Sequence, residues 1–530
     1  MSNASGSDQK LPLALLMARD GFKIDPGQPI GRQAAGSSFL EAYFRFSGNN
    51  VHRIVVPHRI EANWFHEQAT NWEPKCLTEA VTVNEWGKAA QTSGSIHIPD
   101  ALLDTWAWRR MPHGDGAFSL IGIVHTLCCL KTQQSLGQFT NSPLRHWDAL
   151  ICTSKAAQES VNGFLERQEE WIRKRHNGTQ FERPLLPIIP LGIHPEKWGP
   201  YKSTNETKQK ARQTLGIRPN AEIVLLVGRL DLLTKTQPSP LLRVMGALQE
   251  EENPNLELLI YGEAPNPEMR QRWAKGAKQI APNLKIHWIP GSAINLSTTV
   301  RWAADIFVSL SDNPQETFGI TPLEAMAAGL PCLVSDWDGY RDTVIQPGQS
   351  DPPTGIRVTT RIVEGLGGKQ VRRLLNGTIG YDQAVGQIAQ GIAVDVNEFK
   401  KSLLLLLSHP ELRKSMGDAG RKRVESKFAW KIIIEEWRSL TTELNARRNH
   451  AIKNNETSPA QMPPWLQDTS VSFGCFASEI LPKTWNPNPP DRSIENKLIS
   501  NPLQSWDKSL LNEYSARRRG WWLKQGLINF

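Results

Sequence analysis

Two doubly wound α/β domains in tandem, followed by a helical return and an extended tail, form the fold class that this sequence predicts. Three observations carry the prediction. Short apolar runs of strand length alternate with helical stretches from Leu11 to Ile193, as a mostly parallel sheet buried on both faces requires. The same alternation restarts at Ile223, after a polar linker from Pro200 to Lys210. A chain of 530 residues is long enough for two or three domains, each with its own core.

Met1 to Lys10 is small and polar and takes no part in fold reasoning. Leu11 to Ala18 reads as the first strand. A loop carrying Gly21, Gly27, Gly31 and Gly36 follows, then a helical stretch from Ser38 to Phe46 and a second strand from Val51 to Val56. Strand, glycine-rich turn and helix are the opening unit of a doubly wound sheet. Further strands are expected at Ala80–Val83, Ser95–Ile98, Phe118–His125 and Ala149–Thr153, with a polar helix after Ser154. The run LLPIIPLGI, Leu185 to Ile193, closes this half.

Beyond the linker, strands are expected at Ile223–Val227, Leu256–Tyr261, Lys285–Ile289 and Ile306–Leu310, and helices at Leu241–Glu251 and Val300–Ala304. From Val396 to about Arg447 the pattern is helical, with Leu403, Leu406, Leu407, Phe428, Ile432, Ile433, Trp437 and Leu440 at three-and-four spacing. Ala446 to Phe530 is different in kind. It is rich in Pro, Asn and Ser, with Trp465, Phe473, Trp485, Trp506, Trp521 and Trp522 as aromatic anchors. An extended segment that wraps the body, meets a partner or self-associates is expected there. A peripheral membrane contact at Arg517–Leu523 is a further expectation.

Composition narrows the function classes. With 39% hydrophobic and 22% charged residues, the chain is an ordinary globular protein. Its longest aliphatic run, Leu403–Leu407, is far short of the ~20 residues that span a bilayer. Cys76, Cys128, Cys129, Cys152, Cys332 and Cys475 have no zinc-like spacing and read as free thiols in a reducing compartment, which points to the cytoplasm. A net charge of +8, spread along the chain, suits phosphates or an anionic membrane surface, and nothing suggests a nucleic-acid partner. The 19 tryptophans are expected mainly in packing, some on sugar or partner surfaces.

The chemistry concentrates in Ser309–Val344, SLSDNPQETFGITPLEAMAAGLPCLVSDWDGYRDTV. Thr321-Pro322-Leu323-Glu324 spells a helix start, with Thr as N-cap, Pro at the first helical position and Glu at the capping-box position. Gly329 ends the helix and Pro331 prevents its resumption. Asn313 to Gly319 is a polar loop feeding the helix N-terminus, where free amides favour a phosphate, and Glu316 lies in it. Glu324 serves either as a cap or as a ligand. In LLVGRL, Gly228 follows a strand, Arg229 offers a fork of donors and Lys235 a point charge, together suited to a diphosphate. His125 ends a strand, at the edge where open α/β sheets bind ligands.

The segment EtFGitplEAMAaGlPclvSd resembles the E-x7-E signature of retaining nucleotide-sugar glycosyltransferases of the GT-B fold, the family 4-like or group 1 enzymes that include sucrose synthases and bacterial mannosyltransferases. The resemblance implies two Rossmann-like domains facing a cleft, an acceptor domain at 1–195 and a donor domain at 196–425. A helix at 426–445 would cross back to the first domain, and the Pro- and Trp-rich extension at 446–530 falls outside the family pattern. It implies that Gly228, Arg229 and Lys235 hold the donor diphosphate. Glu316 would face the donor sugar beside the backbone of Thr317, Phe318 and Gly319, Glu324 would take the ribose hydroxyls, and His125 would contact the sugar near the reacting carbon. Gly31 and Gly36 fall where relatives bind the acceptor. His125, Glu316 and Arg229 are thus the expected catalytic residues.

The sequence departs from the family pattern at several points. Lys235 stands six residues after Arg229, where five is commoner, and is followed by Thr; the glycines of Gly31–Ser38 are separated; Asp338 replaces a usual glycine and His194 a usual Asp. The expected function is sugar transfer from a UDP- or GDP-sugar, with retention, to a glycan or lipid-linked acceptor, with no metal or other cofactor. The alternatives are a phosphorylase or epimerase on the same scaffold, and a non-catalytic binding or scaffold protein.

Overall fold

Apolar runs, buried on both faces in the central strands and more exposed in the edge strands, build two parallel six-stranded sheets. The first comprises β1 (Ala14–Leu16), β2 (Val51–Val56), β3 (Leu77–Thr82), β4 (Ser95–His97), β5 (Ser119–Ile123) and β6 (Ala149–Ile151), in the order β3-β2-β1-β4-β5-β6. The second comprises β7 (Glu222–Val227), β8 (Leu256–Gly262), β9 (Lys285–Pro290), β10 (Ile306–Ser309), β11 (Cys332–Ser335) and β12 (Gly355–Val358), in the order β12-β11-β10-β7-β8-β9. Every neighbouring pair is parallel. Counted from its own first strand, each sheet has the same doubly wound order. Each therefore reverses direction beside that strand, between β1 and β4 and between β7 and β10, and leaves a crevice at the carboxyl ends of those strands.

The computed structural model describes residues 10–17, 19–22, 31–199, 205–235 and 237–480. Met1–Gln9, Gly27, the start of the linker at Pro200, the tail tryptophans Trp485, Trp506, Trp521 and Trp522, and the Arg517–Leu523 segment lie outside the described residues.

Helices cover both sheets because the strands expose apolar side chains on both faces. In the first half, Leu13, Leu15, Ile54, Ile121 and Ile151 pack with Phe39, Leu40 and Tyr43 of the helix Gly31–Phe46. Trp430, Ile433, Ile434, Trp437, Leu440 and Leu444, from the helix Trp430–Lys453, complete the same core. Each such side chain, fully buried, contributes roughly 1.5–3 kcal/mol of transfer free energy, so this late helix is integral to the first sheet. It is longer than the expected 426–445, and Ser458 N and Gln461 N still donate to Asp115 Oδ1 (2.8 Å) and Met111 O (3.0 Å). The first compact unit accordingly runs to Gln461, past the expected boundary at 446. In the second unit, the short helix Thr469–Phe473 is capped by Asp468, and the Phe473 and Phe476 rings lie 5.4 Å apart.

Three local expectations differ from the structure. The helix Gly31–Phe46 begins at Gly31, so Gly31–Ser38 is its first two turns and not a loop. The helix Asn205–Thr214 occupies the second half of the expected linker. After β12 the chain forms a lobe that the sequence pattern did not suggest: β13 (Thr360–Ile362), the helices Gly368–Leu375 and Tyr381–Ala389, and β14 (Ile392–Val394), which pairs antiparallel with β13. The two passages between the halves run side by side. Ile193 N donates to Phe428 O at 2.9 Å, and Trp430 N donates to Ile193 O at 3.0 Å.

Candidate active site

A cleft of about 480 Å³ lies between the two sheets and is lined from both sides. Gly31, Arg32, His125 and Thr126 come from the first half. Gly228, Arg229, Lys235, Glu316, Thr317, Phe318, Gly319 and Thr321 come from the second. The structure thus brings together most of the residues singled out in the sequence.

On the second half, β7 ends at Val227, and Gly228 and Arg229 follow at its carboxyl edge. The loop beyond is built by Asp231, whose Oδ1 accepts from Leu233 N at 2.9 Å and whose Oδ2 accepts from Thr234 Oγ1 at 2.5 Å. That turn delivers Lys235 to the cleft despite its unusual spacing from Arg229. Asn313 ties this loop to the next, with Nδ2 donating to Leu233 O at 2.9 Å and Oδ1 accepting from Gln315 N at 3.0 Å. The result is an ion pair in the cleft, Lys235 Nζ to Glu316 Oε2 at 3.1 Å. Burial pushes the Glu316 carboxyl up, but the Lys235 ammonium and the Phe318 and Thr317 amides outweigh it and hold Glu316 below the usual carboxylate range. Glu316 is therefore ionised. Arg229 Nε is buried and, among the described residues, has no hydrogen-bond partner.

Gly319 turns the chain into the helix Ile320–Ala327 with φ of 80°, and a Cβ there would lie 2.1 Å from the Tyr340 ring. Both the conformation and the space demand glycine. The helix starts earlier than its cap signature suggested. Thr321 and Pro322 lie inside its first turn, no side chain caps it, and Glu324 does not return to the N-cap. Instead Glu324 pairs with the buried guanidinium of Arg301, which stacks 4.3 Å over Trp198. Burial raises the Glu324 carboxyl, and Arg301 opposes the rise. Glu324 is not among the residues lining the cleft.

On the first half, His125 sits two residues past β5. Burial first, then the positive charge of Arg32 and the neighbouring His97, push its pKa down to about 3, so the ring is neutral. Arg32 donates to Pro99 O at 3.3 Å on the same rim. Gly31 opens onto the cleft with nothing within 4 Å of where a Cβ would be. Gly36 lies deeper. A Cβ there would stand 1.8 Å from Gly21 O, so its glycine serves helix packing, and it borders a small apolar pocket behind His125 and not the cleft. Thr317 was expected near the sugar through its backbone. Its hydroxyl donates to His125 O at 3.0 Å, and its carbonyl accepts from Thr153 Oγ1 at 3.3 Å.

Several cleft residues had no sequence signal of their own. Tyr381 and Asp382 arrive from the lobe after β12, and the Tyr381 hydroxyl lies 3.0 Å from Cys128 Sγ and 3.3 Å from Gln315 Oε1. Asp231 could have been found, since Asp two residues before an amide it accepts from is a common turn. All six cysteines are free, but only Cys152 and Cys332 are fully buried; Cys128 and Cys129 are partly buried, and Cys129 lines the cleft.

Residues 207–369 match the family Glycosyl transferases group 1. The chain carries a glycosyl transferases group 1 domain. This domain includes Arg229, Lys235, Glu316 and Glu324. A GDP-mannose-dependent monoacylated alpha-(1-6)-phosphatidylinositol monomannoside mannosyltransferase of Corynebacterium glutamicum is 25% identical over 277 residues, covering 50% of this chain and 58% of the relative. The alpha-monoglucosyldiacylglycerol synthase of Acholeplasma laidlawii is 25% identical over 184 residues, covering 34% and 42%. The chain spans about half the length of these curated relatives. Among solved structures, a sucrose-phosphate synthase from Thermosynechococcus elongatus superposes with a TM-score of 0.51 at 18% identity, covering 82% of this chain and 99% of that one. A glycosyltransferase from Rickettsia africae gives 0.51 at 12% identity, covering 82% and 98%. The group 1 domain thus sits in a two-sheet GT-B fold.

Proposed function

We propose that this chain moves a sugar from a UDP- or GDP-sugar to a glycan or lipid-linked acceptor, with retention of configuration. The observation that supports it most is the convergence of Arg229, Lys235 and Glu316 with His125 in one cleft, at the switch points of both sheets. The departing diphosphate gathers negative charge. Arg229 offers a buried Nε–H that has no hydrogen-bond partner among the described residues, and Lys235 a point charge that exchanges Glu316 for phosphate. Glu316, ionised and released from Lys235, accepts hydrogen bonds from the donor sugar hydroxyls. His125 is neutral and so hydrogen-bonds the sugar without placing a second positive charge beside the ring as it becomes cationic. Glu324 takes the ribose once Arg301 shares it, and Gly31 leaves room for the acceptor. Arg32 and the amides near Gly319 complete the charge balance.

The rate then comes from positioning and from cationic stabilisation of the leaving group, with no metal or cofactor called upon. Free thiols at the cleft suit a reducing, cytoplasmic setting. Among the described residues no helix is long and apolar enough to cross a membrane.

The test is incubation with radiolabelled UDP- and GDP-hexoses and a panel of glycan and lipid acceptors. Label in a product, with release of nucleoside diphosphate and a retained anomer by NMR, is the expected result. Appearance of sugar 1-phosphate or of an epimer without transfer replaces this reading with a phosphorylase or an epimerase. Full biological activity in Arg229→Ala and Glu316→Ala replaces it with a scaffold.

A further inference from the structure

The lobe between β12 and the helix Val396–Ser408 gives the cleft a third wall. The family match ends at residue 369, so the helix of that wall, Tyr381–Ala389, lies beyond it. Glycine lets this helix lie against the loop that carries Lys235: a Cβ at Gly386 would stand 2.8 Å from Leu233 Cα and 3.0 Å from Leu233 O. At the first helical residue, the Tyr381 hydroxyl lies 3.3 Å from Gln315 Oε1, beside Glu316, and 3.0 Å from Cys128 Sγ of the first half. Thr126 Oγ1, next to His125, lies 3.3 Å from the same sulfur. The phenol is thus held at its tip from both halves, and Tyr381 lines the cleft between them.

Among the described residues, the acids that line the cleft are Glu316 and Asp382. Lys235 holds Glu316 at 3.1 Å, whereas Asp382 is exposed at the rim and makes no hydrogen bond or ion pair among the described residues. A carboxylate repels a diphosphate, so Asp382 does not serve the end of the cleft that Arg229 and Lys235 serve. It does accept hydrogen bonds from hydroxyls, and the aromatic ring beside it offers an apolar face. A sugar ring, with hydroxyls at its edge and C–H groups on its face, answers both. Tyr381 reaches the loop after His125 on the half expected to hold the acceptor, and Asp382 stands at the exposed rim. The ring that they fit is therefore the incoming one. We propose that Tyr381 and Asp382 are specificity residues for the acceptor. Tyr381 packs on its sugar ring, Asp382 accepts from the ring hydroxyls, and the carboxylate turns away rings that carry an anionic group there. The sugar site stands on its own geometry, but its assignment to the acceptor rests on the sugar-transfer reading.

The experiment titrates the full chain with methyl α-glucoside, methyl α-mannoside and methyl α-galactoside, and with the corresponding hexose 6-phosphates, by saturation-transfer NMR, with and without UDP or GDP. Acceptor kinetics follow with the glycoside that binds. Expected are binding of at least one neutral glycoside, a loss of about ten-fold or more in Asp382→Ala and in Tyr381→Ala, and retention in Tyr381→Phe. Asp382→Asn keeps a hydrogen-bonding side chain without the charge, and should shift the preference toward the phosphorylated probe by about ten-fold. In transfer assays Asp382→Ala raises KM for the acceptor and leaves KM for the donor unchanged. Unchanged melting curves show that the variants are folded. The proposal is overturned if no neutral glycoside binds the parent, if folded Asp382→Ala binds as the parent does, or if Asp382→Asn leaves the preference unaltered. A rise in KM for the donor instead of the acceptor also overturns it. Glycoside binding that depends on Asp382, without sugar transfer, removes the proposed function and leaves the sugar site standing. Transfer with an acceptor KM that folded Asp382→Ala does not alter keeps the function and defeats the specificity assignment.

Discussion

Ser154 Oγ donates a 2.7 Å hydrogen bond to Asp338 Oδ1 from the opposite half of the molecule. The same hydroxyl oxygen caps the helix Lys155–His176 by accepting from Ala157 N at 3.0 Å, and the next amide, Lys155 N, donates to Asp342 Oδ2 at 2.7 Å. A helix N-terminus of one half thus faces two carboxylates of the other. Asp338 holds a left-handed conformation with φ of 41°, which Asp and Asn tolerate better than other side chains, and this explains how it replaces the glycine usual in the family. Burial raises its carboxyl to about 7, with the Ser154 bond opposing and the Glu316 charge adding to the rise.

The sign of the pH dependence follows. A carboxyl with a raised folded pKa favours the folded state most when protonated, so its contribution is present below the ordinary Asp range near ~4 and is lost as pH rises through about 7. Asp338→Asn keeps the acceptor for Ser154 and the backbone conformation. Its melting temperature should exceed that of the parent at pH 8 and converge with it near pH 4. A difference that is constant across that range defeats the assignment.

Arg229→Ala and Glu316→Ala should each lower kcat/KM for sugar transfer by about 10²-fold or more, the loss typical of one transition-state donor or positioning group. Lys235→Ala should act similarly on the diphosphate. It should also raise the Glu316 pKa, since its ammonium is the largest influence holding that carboxyl down. Steady-state kinetics with each purified variant, checked by circular dichroism, decides the matter.

Glu324 separates a structural from a ligand role. Glu324→Gln preserves a hydrogen bond to Arg301 and, if the ribose is held here, should raise KM for the donor while leaving kcat nearly unchanged. Glu324→Ala abandons a buried guanidinium and should cost about 3 kcal/mol of stability. Equal KM values in Glu324→Gln and parent argue for the ion pair alone.

Trp430→Ala should destabilise the protein by about 3–5 kcal/mol, because the ring is 2% exposed, and its indole N–H donates to Ser38 Oγ at 2.6 Å. A chain truncated at 425 removes the whole helix and should be recovered insoluble, since Leu13, Phe39 and Tyr43 lose their cover. Chemical denaturation of the point variant and recovery of the truncation test the two statements.

The two sheets were legible because a strand buried on both faces leaves a continuous apolar run, as at Ser119–Ile123 and Leu256–Gly262. The helix start at Gly31 was not, because separated small residues look like a loop, and only the close approach of Gly36 to Gly21 reveals packing. Arg229, Lys235, Glu316 and His125 each lie at a strand end or in a polar loop, where local chemistry points outward. Glu324 misled because Thr-Pro-x-Glu satisfies a local cap rule, whereas tertiary pairing with Arg301, 23 residues away, decides its place. The lobe after β12 escaped notice because its short helix is apolar on a face that nothing in the described residues covers.

The paired passages at Ile193 and Ala429 bear on how the cleft can open. Two chain segments cross between the halves, and their mutual hydrogen bonds, Ile193 N to Phe428 O and Trp430 N to Ile193 O, fasten them into a single ribbon. A hydrogen-bonded ribbon bends across its plane more easily than its two segments slide past each other, so the halves should part by bending there, like covers joined at a spine. Because the contacts of Ser154 and Thr317 lie across the cleft, bending that way breaks them together. Small-angle scattering with and without UDP should report one change in radius of gyration rather than a series.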